Sequence, residues 1–302
     1  MTTATTTNSS KPAKRATFVS ARRAVSGWGQ PVVYILLVVL SAAFTFPFVW
    51  TVLTALKAPW EIFRFPPIFI PEKLLWDNFA EVWRQAPFLT FLKNTLIVAG
   101  LSIAGDIITA SLVAYGFARF RFPGKEVLFL LVLSVLILPE EVTIIPQFLI
   151  YRTLGWVDTL KPLILPAFLG GGAFNIFLLR QFFLTIPRDL DEAAMIDGAG
   201  SLRILWQILI PLAKPAMATV AIFSFLFHWN DFFRPLIYLN SINNFTLSLG
   251  LRFFQTSADS GGEPTQHLLM AASVMMTIPV IALFFSMQGY FIEGITMSGI
   301  KR

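Results

Sequence analysis

Six apolar stretches, each long enough to cross a lipid bilayer as a helix, constrain the fold of this chain more than any other feature. They are residues 32–56, 95–118, 127–150, 160–183, 213–233 and 268–292. A spanning helix needs about 20 predominantly apolar residues. Lipid offers no partner to an unpaired backbone amide, and these runs lack the alternation of a transmembrane β-strand. The sequence therefore predicts an all-α membrane protein with six transmembrane helices.

The composition of the 302-residue chain agrees with this prediction. Hydrophobic residues make up 56% of it and charged residues only 13%, against about 25% charged in a soluble domain. There is no Cys, and the two His residues, His228 and His267, are far apart in sequence. We therefore expect neither a disulfide framework nor a metal site.

Positive charge is concentrated before the first apolar run. No acidic residue precedes Glu61, whereas Lys and Arg recur within residues 1–30. A basic arm can bind nucleic acid, but this one leads directly into an apolar run, and basic segments favour the cytoplasmic side. With the N-terminus inside, 14 of the 23 Lys and Arg residues fall in cytoplasmic segments. We predict a cytoplasmic arm (1–30), a membrane domain (31–302), both termini in the cytoplasm, and the lipid bilayer, not nucleic acid, as a partner.

The helix-breaking residues of the third and fourth runs bear on how those runs fold. Pro139 stands near the end of the third run, followed by Glu140 and Glu141. This pattern indicates a helix end with acids in outer water, or a kinked helix that lines a pathway. The glycines at 170–172 in the fourth run favour close helix packing, with a break in the helix as the alternative.

Asp106 is the one acidic residue deep inside a run. Intramembrane acids usually face the interior of a helix bundle. Its neighbours one turn away, Ser102 and Ala110, form a small-residue stripe that suits helix–helix contact. We expect a hydrogen-bonded contact between helices, with a proton or ion site as the alternative.

The segment LDEAAMIDGAG, residues 190–200, does not match the apolar runs on either side of it. Asp189 is placed to cap a helix, with Glu192 three residues later. The acids of the first turn complement the helix dipole, and Gly198 supplies the C-terminal stop. We predict a helix of about eight residues.

One narrow, weakly apolar face of that helix would suit a cleft on another protein better than a core. Its members are spaced at helical intervals: Leu190, Ala193, Ala194 and Asp197. A second short helix, residues 202–210, is expected to follow with Ser201 as its cap, and Pro211 and Pro215 would then redirect the chain. The sequence predicts a helix–turn–helix on the cytoplasmic face.

The spacing in this segment resembles the EAA signature of ABC-importer permeases, E-A-A-x3-G-x9-I-x-L-P. Here Glu192-Ala193-Ala194 is followed by Gly198 and, nine residues later, by ILIP ending at Pro211; Ile210 replaces the usual Leu. Asp197 completes the common DGA form. Further stretches resemble carbohydrate-uptake permeases of the maltose-permease second-subunit type: AYGFARFRFPGK (114–125), HWNDFFRPLIYL (228–239), TLSLGL (246–251) and GYFIEGITMSGIKR (289–302). The resemblance covers most of the chain from the second run onward.

This resemblance implies a type I ABC-importer fold and a division of labour among several chains. The segment 188–211 would act as a coupling helix in a cleft of a cytoplasmic ATPase. Seven residues would serve that coupling: Asp191, Glu192, Ala193, Ala194, Asp197, Gly198 and Pro211. Implied partners are a second permease subunit, two ATPase subunits that carry ATP and Mg, and an extracytoplasmic solute-binding protein. This chain would bind no cofactor itself, in the cell membrane of a bacterium.

The solute would be a sugar or oligosaccharide. Sugars need hydrogen-bonding groups and aromatic faces, which Asn175, Trp229 and Asn230 could supply. Asn230 and Asp231, near the outer end of the fifth run, would line the pathway or form a solvated helix end.

Three alternatives stay open at this stage. An ion-coupled secondary transporter would use Asp106, although we find no inverted repeat between residues 1–150 and 151–302. A membrane scaffold would use the cytoplasmic helix only to recruit a partner. The same importer type could carry a glycerol-phosphate-like solute. The one Gly-Lys pair, Gly124-Lys125, is not part of a phosphate-binding loop, and no nucleophile–base set is evident, so we do not expect an enzyme.

Overall fold

A computed structural model describes residues 29–259 and 265–299 of the chain, with side-chain placement omitted at 29, 30, 256–259 and 290–299. All but the last two residues of the predicted arm, and residues 300–302, lie outside the described part. Within the described ranges the chain is helical, with no strand. The predicted all-α class is confirmed.

Seventeen α-helices follow one another along the described chain. The first nine are α1 (Gly29–Ala55), α2 (Pro59–Ile62), α3 (Asp77–Gln85), α4 (Phe88–Arg119), α5 (Lys125–Ser134), α6 (Glu140–Thr153), α7 (Lys161–Ile164), α8 (Ala167–Gly170) and α9 (Ala173–Thr185). The others are α10 (Asp189–Ile196), α11 (Ser201–Ile204), α12 (Ile210–Leu212), α13 (Lys214–Asn230), α14 (Phe233–Tyr238), α15 (Leu247–Gly250), α16 (Arg252–Asp259) and α17 (Gln266–Gly299). Short 3-10 turns lie at Val135–Ile137 and Ile242–Asn244, and a π-helical stretch at Leu205–Leu209.

Four helical segments in the described residues are long and apolar enough to cross a membrane: Pro31–Ala55, Phe88–Arg119, Lys161–Thr185 and Gln266–Gly289. Two bent pairs pass the same test together, Lys125–Ile137 with Glu140–Thr153 and Ser201–Leu212 with Lys214–Asn230. All six predicted runs therefore coincide with apolar helical segments. By length and composition, the described residues therefore hold four candidate spans, or up to six if each bent pair crosses once.

The chain divides into two compact units, Met1–Val49 and Trp50–Arg302. In the first unit, the described part of α1 exposes every side chain from residue 31 to residue 49. This continuous apolar surface is the pattern expected of a helix whose solvent is lipid. The sequence-based boundary between residues 30 and 31 stays a prediction.

Helix α4 organises the second unit because its small residues let other helices approach closely. Ser102, Ala110 and Ala114 are buried along the stripe that contains Asp106, and Gly105 is buried as well. A Cβ atom added to Gly105 would lie 2.8 Å from Cδ2 of Phe168, so α8 packs where a larger side chain would not fit. The predicted small-residue contact along Asp106 is confirmed.

The glycines of the fourth run produce both a break and a close contact. Gly171 and Gly172 adopt positive φ angles of 64° and 74° and separate α8 from α9. A Cβ atom on Gly171 would lie 2.5 Å from the backbone nitrogen of Ala110. Only glycine satisfies both the left-handed backbone and the approach to α4.

The third run is not one continuous helix. Helix α5 and its 3-10 extension end at Ile137, and α6 starts at Glu140 after a bend of 100°. Pro139 is the N-cap residue of α6 with extended backbone angles. Proline supplies no amide donor and disfavours helical geometry before it, so the break falls where the sequence analysis placed a helix end.

Beyond α6, a loop carboxylate fastens the chain to the segment after α14. Asp158 has a positive φ of 59° and accepts hydrogen bonds from the backbone N–H groups of Asn240 and Ser241, at 2.9 and 2.8 Å. The hydroxyl of Ser241 also donates to it. These hydrogen bonds hold the pKa of Asp158 well below its usual range.

Candidate functional site

Helix α10 coincides with the predicted eight-residue helix but starts differently from the prediction. It runs from Asp189 to Ile196, with Arg188 at the N-cap and no side-chain capping bond. The predicted Asp189 capping box is therefore wrong. Arg188 has helical backbone angles, which places Asp189 inside the helix, where its carboxylate cannot cap. The acids of the first turn still complement the helix dipole.

The end of α10 matches the prediction closely. Gly198 has a φ of 78°, and its N–H donates to the carbonyl of Met195 at 3.0 Å. The N–H of Ala199 donates to the carbonyl of Ala194 at 2.9 Å. This pair of bonds is a Schellman motif, which requires the left-handed conformation that glycine adopts at least cost.

An almost fully buried ion pair fixes α10 to the end of α4. Oδ2 of Asp191 lies 2.7 Å from Nε of Arg119, and the two side chains are only 9% and 5% exposed. Burial raises the pKa of Asp191, and the guanidinium of Arg119 opposes that rise. Because neither charge is solvated, each depends on the other.

Backbone carbonyls near the pair strengthen the attachment. Nη2 of Arg119 donates to the carbonyl of Ile186 at 3.1 Å, in the turn before α10. Nη2 of Arg188 donates in the other direction, to the carbonyl of Ala118 at 3.4 Å. The connection between α4 and α10 is thus reciprocal, and sequence reasoning did not find it because its members are far apart in the chain.

Three of the four residues predicted for the outward face of α10 are exposed, but Ala194 is not. Ala194 is buried in the same apolar cluster as Tyr115 and Leu205, and Asp191 also points inward. The exposed residues from the start of α10 to the glycine after it are Asp189, Leu190, Glu192, Ala193, Met195, Ile196, Asp197 and Gly198. Ile196 is 86% exposed. Leu190, Ala193, Ala194 and Asp197 therefore do not form a common exposed face, since tertiary packing on α4 rather than spacing alone selects the outward side.

The second helix of the predicted helix–turn–helix begins at Ser201, one residue early, with Gly200 as the N-cap and no side-chain cap. It continues through the π-helical stretch to Leu212, so the predicted cap at Ser201 is wrong although the helix is present. Pro211 lies exposed near its end, and the chain then turns by 82° into α13.

The predicted solute-pathway residues are spread over two helices. Trp229 is 1% exposed, and its Nε1–H donates to the carbonyl of Met276 at 3.1 Å. Asn230 is exposed at the end of α13 and donates to the carbonyl of Leu226. Asp231, directly after α13, pairs with Arg234 at 2.8 Å. In this structure Trp229 packs in the core, and the two residues after it are polar helix-end groups.

Asn175 belongs to a different element from these three residues. It lies half-buried in the first turn of α9, directly after the glycine break. The structure therefore joins three of the four predicted pathway residues at one helix end and places the fourth beside the break in the other span.

Asp106 has two partners on α13. Oγ of Ser224 donates to its Oδ2 at 2.5 Å, and Nε2 of His228 lies 3.6 Å from the same oxygen. All three side chains are buried. The predicted hydrogen-bonded contact between helices is confirmed, and its partners are residues that the sequence did not connect with Asp106.

Residues 16–296 match the model of a protein family described as the inner membrane component of binding-protein-dependent transport systems. The match spans nearly the whole chain. The chain belongs to this family. It is thus an ABC-importer permease subunit, as the EAA spacing implied, and this membership does not favour the ion-coupled alternative that used Asp106.

Two relatives of the permease illustrate the range of the family. The sn-glycerol-3-phosphate transport system permease protein UgpE of Yersinia enterocolitica is 35% identical over 245 residues, which are 79% of this chain and 85% of that protein. The arabinooligosaccharides transport system permease protein AraQ of Halalkalibacterium halodurans is 34% identical over 259 residues, 85% of this chain and 91% of that one.

Solved structures agree with the fold of the permease. A chain of a bacterial ABC transporter involved in the import of the acidic polysaccharide alginate superposes with a TM-score of 0.75 at 25% identity, covering 87% of this chain and 96% of its own. A chain of the alginate transporter in complex with an alginate pentasaccharide-bound periplasmic protein gives 0.55 at 13% identity, covering 85% and 93%. The second likeness supports the fold alone.

Proposed function

We propose that this permease forms part of the membrane pathway of an ATP-driven importer of a sugar or oligosaccharide. Its partners would be a second permease subunit, two ATPase subunits that bind ATP and Mg, and an extracytoplasmic solute-binding protein. Both termini and α10 would face the cytoplasm. The relatives support this proposal, because one is a permease for arabinooligosaccharides and two similar structures come from an alginate importer.

The observation that carries the mechanism is the arrangement of α10, which is exposed on one side and tied to a long helix on the other. Met195 and Ile196 present an apolar surface outward, while Asp191 joins the helix to Arg119 on α4. An apolar tip of this kind suits a cleft on a partner. Closure of two ATPases around it would move α4 directly.

The solute would be recognised elsewhere, in the membrane part of the chain. Asn175, Asn230 and Asp231 are the polar groups that we propose for the pathway, because each lies beside a break between helices. Trp229 would hold the neighbouring Asn230 and Asp231 in place through its hydrogen bond to the carbonyl of Met276.

A glycerol-phosphate-like solute is the second candidate, favoured by the 35% identity to the glycerol-3-phosphate permease. The two classes differ in charge, since a neutral sugar needs no cationic site and a phosphate ester does. Uptake assays with both solute classes distinguish them.

Reconstitution tests the function as a whole. The chain is combined with its candidate partners in liposomes, and ATP-dependent uptake of a sugar panel and of glycerol phosphate is measured. Glu192→Arg and Ala193→Trp are then compared with the parent chain, because both positions are exposed on α10. We expect loss of uptake and of ATPase binding in both variants; unchanged uptake and binding would exclude α10 as the docking element.

A further inference from the structure

Arg234 lies where three helical elements meet, and its Nε contacts two carboxylates. Its Nε is 2.8 Å from Oδ2 of Asp231 and 3.1 Å from Oε1 of Glu140. Asp231 directly follows α13, Arg234 is in α14, and Glu140 is the first residue of α6. The guanidinium also stacks on the ring of Phe227, 4.2 Å from its centroid. One cation therefore joins the bent arm α6 to the break between α13 and α14.

The two halves of this contact differ in burial. The side chains of Arg234 and Asp231 are 16% and 12% exposed, whereas that of Glu140 is 46% exposed. Asp231 is fixed further because its Oδ1 accepts the backbone N–H of Arg234, and its carbonyl accepts the hydroxyl of Ser248. Water competes for Glu140 but hardly for Asp231. The Asp231 side is an anchor, and the Glu140 side is the one that can open.

Helix α6 has few other attachments to the described chain. Ile144 is its one buried residue among those described. The hydroxyl of Tyr238 donates to Oε1 of Gln147 at 3.2 Å, and Tyr151 meets the edge of the Tyr238 ring at 5.2 Å. These contacts also lead to α14. Ile144 also joins the apolar cluster that includes Val98 and Leu163. Helix α6 is therefore held by this cluster and by α14, after a bend of 100° that provides a hinge.

The pairing of Arg234 with the carboxylates depends on charge more than on directional hydrogen bonds. Within the described residues, Nε and Nη2 of Arg234 are buried but make no hydrogen bond of good geometry. Charge attraction tolerates a small shift that would break a directional bond. Such a contact suits repeated opening and closing.

We propose that Arg234 is a positioning residue that holds α6 against the break between α13 and α14, a contact that we call the latch. The Arg234–Asp231 pair stays formed, whereas the Arg234–Glu140 pair breaks and re-forms. Release of Glu140 frees α6 to swing on its bend and favours a second conformation of the membrane domain. The link to transport rests on the function proposed above. The latch itself is a property of this chain alone.

The distance between α6 and α14 tests the latch without any partner. The chain contains no Cys, so Cys introduced at Ile145 on α6 and at Phe233 on α14 can carry a pair of spin labels, and both positions are exposed. Distances are measured by pulsed EPR on the full chain in lipid nanodiscs. We expect Glu140→Gln to add a longer, broader distance population, while the neighbouring Glu141→Gln leaves the parent distribution unchanged.

Two further measurements separate a charge latch from simple packing. Raising the salt from about 0.05 to 1 M shortens the Debye length severalfold, so the parent distribution should shift toward that of Glu140→Gln, which itself should not respond. Arg234→Lys keeps the charge and should retain most of the short distance. Identical distributions for Glu140→Gln and Glu141→Gln, or a parent insensitive to salt, would overturn the latch.

The link to transport is read separately, in the reconstituted importer. We expect Glu140→Gln to raise the ATP hydrolysed per solute imported severalfold, with no such change in Glu141→Gln. An unchanged ratio alongside an altered distance would overturn the role in transport while the latch stands. Absence of transport by the parent assembly would instead contradict the proposed function.

Discussion

Asp191 on α10 and Arg119 at the end of α4 form an ion pair at 2.7 Å that is almost completely shielded from water. The same arginine holds the carbonyl of Ile186 just before α10. The short helix α10 is therefore a fixed extension of α4.

We expect Arg119→Gln to destabilise the membrane domain by about 3–5 kcal/mol, because the Asp191 carboxylate is left buried without its counter-charge. Thermal unfolding in detergent measures the loss. Arg203→Gln on the exposed side of α11 is the matched control and should change stability by less than about 0.5 kcal/mol. Equal melting temperatures for the two variants would show that the pair does not hold α10.

Ile196→Asp should abolish uptake and leave stability almost unchanged. The side chain is 86% exposed, so it contributes little to the core, but an acid at the apolar tip would enter the partner cleft without a counter-charge. Uptake and ATPase co-purification measure the effect, with Ile196→Leu as the conservative control. Retained co-purification of the aspartate variant would place the docking surface elsewhere.

Gly171→Ala should destabilise the chain by about 1–3 kcal/mol through overpacking and a strained left-handed backbone. The added Cβ would meet the Ala110 nitrogen at 2.5 Å. Gly170→Ala is the control, since its Cβ would meet nothing within 4 Å. Unfolding curves compare the two variants, and a stable Gly171→Ala protein would mean that α9 can move away from α4 at little cost.

Asp106→Asn should retain ATP-dependent uptake within about tenfold, because the amide oxygen can still accept the hydroxyl of Ser224. An ion-coupled transporter would lose uptake completely. The assay compares the variant and the parent with ATP, and again after an ionophore has collapsed the ion gradients. Uptake that needs the gradient rather than ATP would revive the ion-coupled alternative.

The ionised carboxylate of Asp158 should make the stability of the folded chain depend on pH. Its pKa in the folded chain lies below the ordinary value, which for Asp is about 3.9. The folded state therefore gains stability from the ionised carboxylate above that ordinary value and loses it as the pH falls through the folded pKa. Asp158→Asn should be less stable than the parent at pH 7, and the difference should shrink below about pH 4. A stability difference between variant and parent that stays constant across that pH range would show that the charge of Asp158 does not stabilise the fold.

Local chemistry predicted where α10 ends and where the third run breaks, although the side-chain caps expected at Asp189 and Ser201 are wrong. Gly198 ends α10 because few other residues adopt its backbone angles, and Pro139 breaks the third run for a similarly local reason. Both depend on one residue and its neighbours in the chain. Apolar length located the apolar helical segments in the same way, since a bilayer needs little beyond length and hydropathy to accept a helix.

Long-range packing was beyond the reach of the sequence pattern. Helical spacing put Ala194 on the docking face, but the approach of Tyr115 and Leu205 buries it. Trp229 resembled an available aromatic surface, and its indole is instead bonded to a carbonyl on α17. In both cases, which side of a helix is covered depends on a neighbour distant in sequence.

Helix α4 has 32 residues, a length of about 48 Å, and its two ends are clamped to different segments. At one end, Arg119 forms an ion pair with Asp191 of α10. Near the other end, Nδ2 of Asn94 donates to the carbonyls of Asn243 and Phe245. A helix resists compression along its axis, so a push on α10 becomes a tilt or slide of the whole rod. Movement of α10 would therefore reach residues 243–245 through α4 as one rigid element, with no series of smaller rearrangements in between.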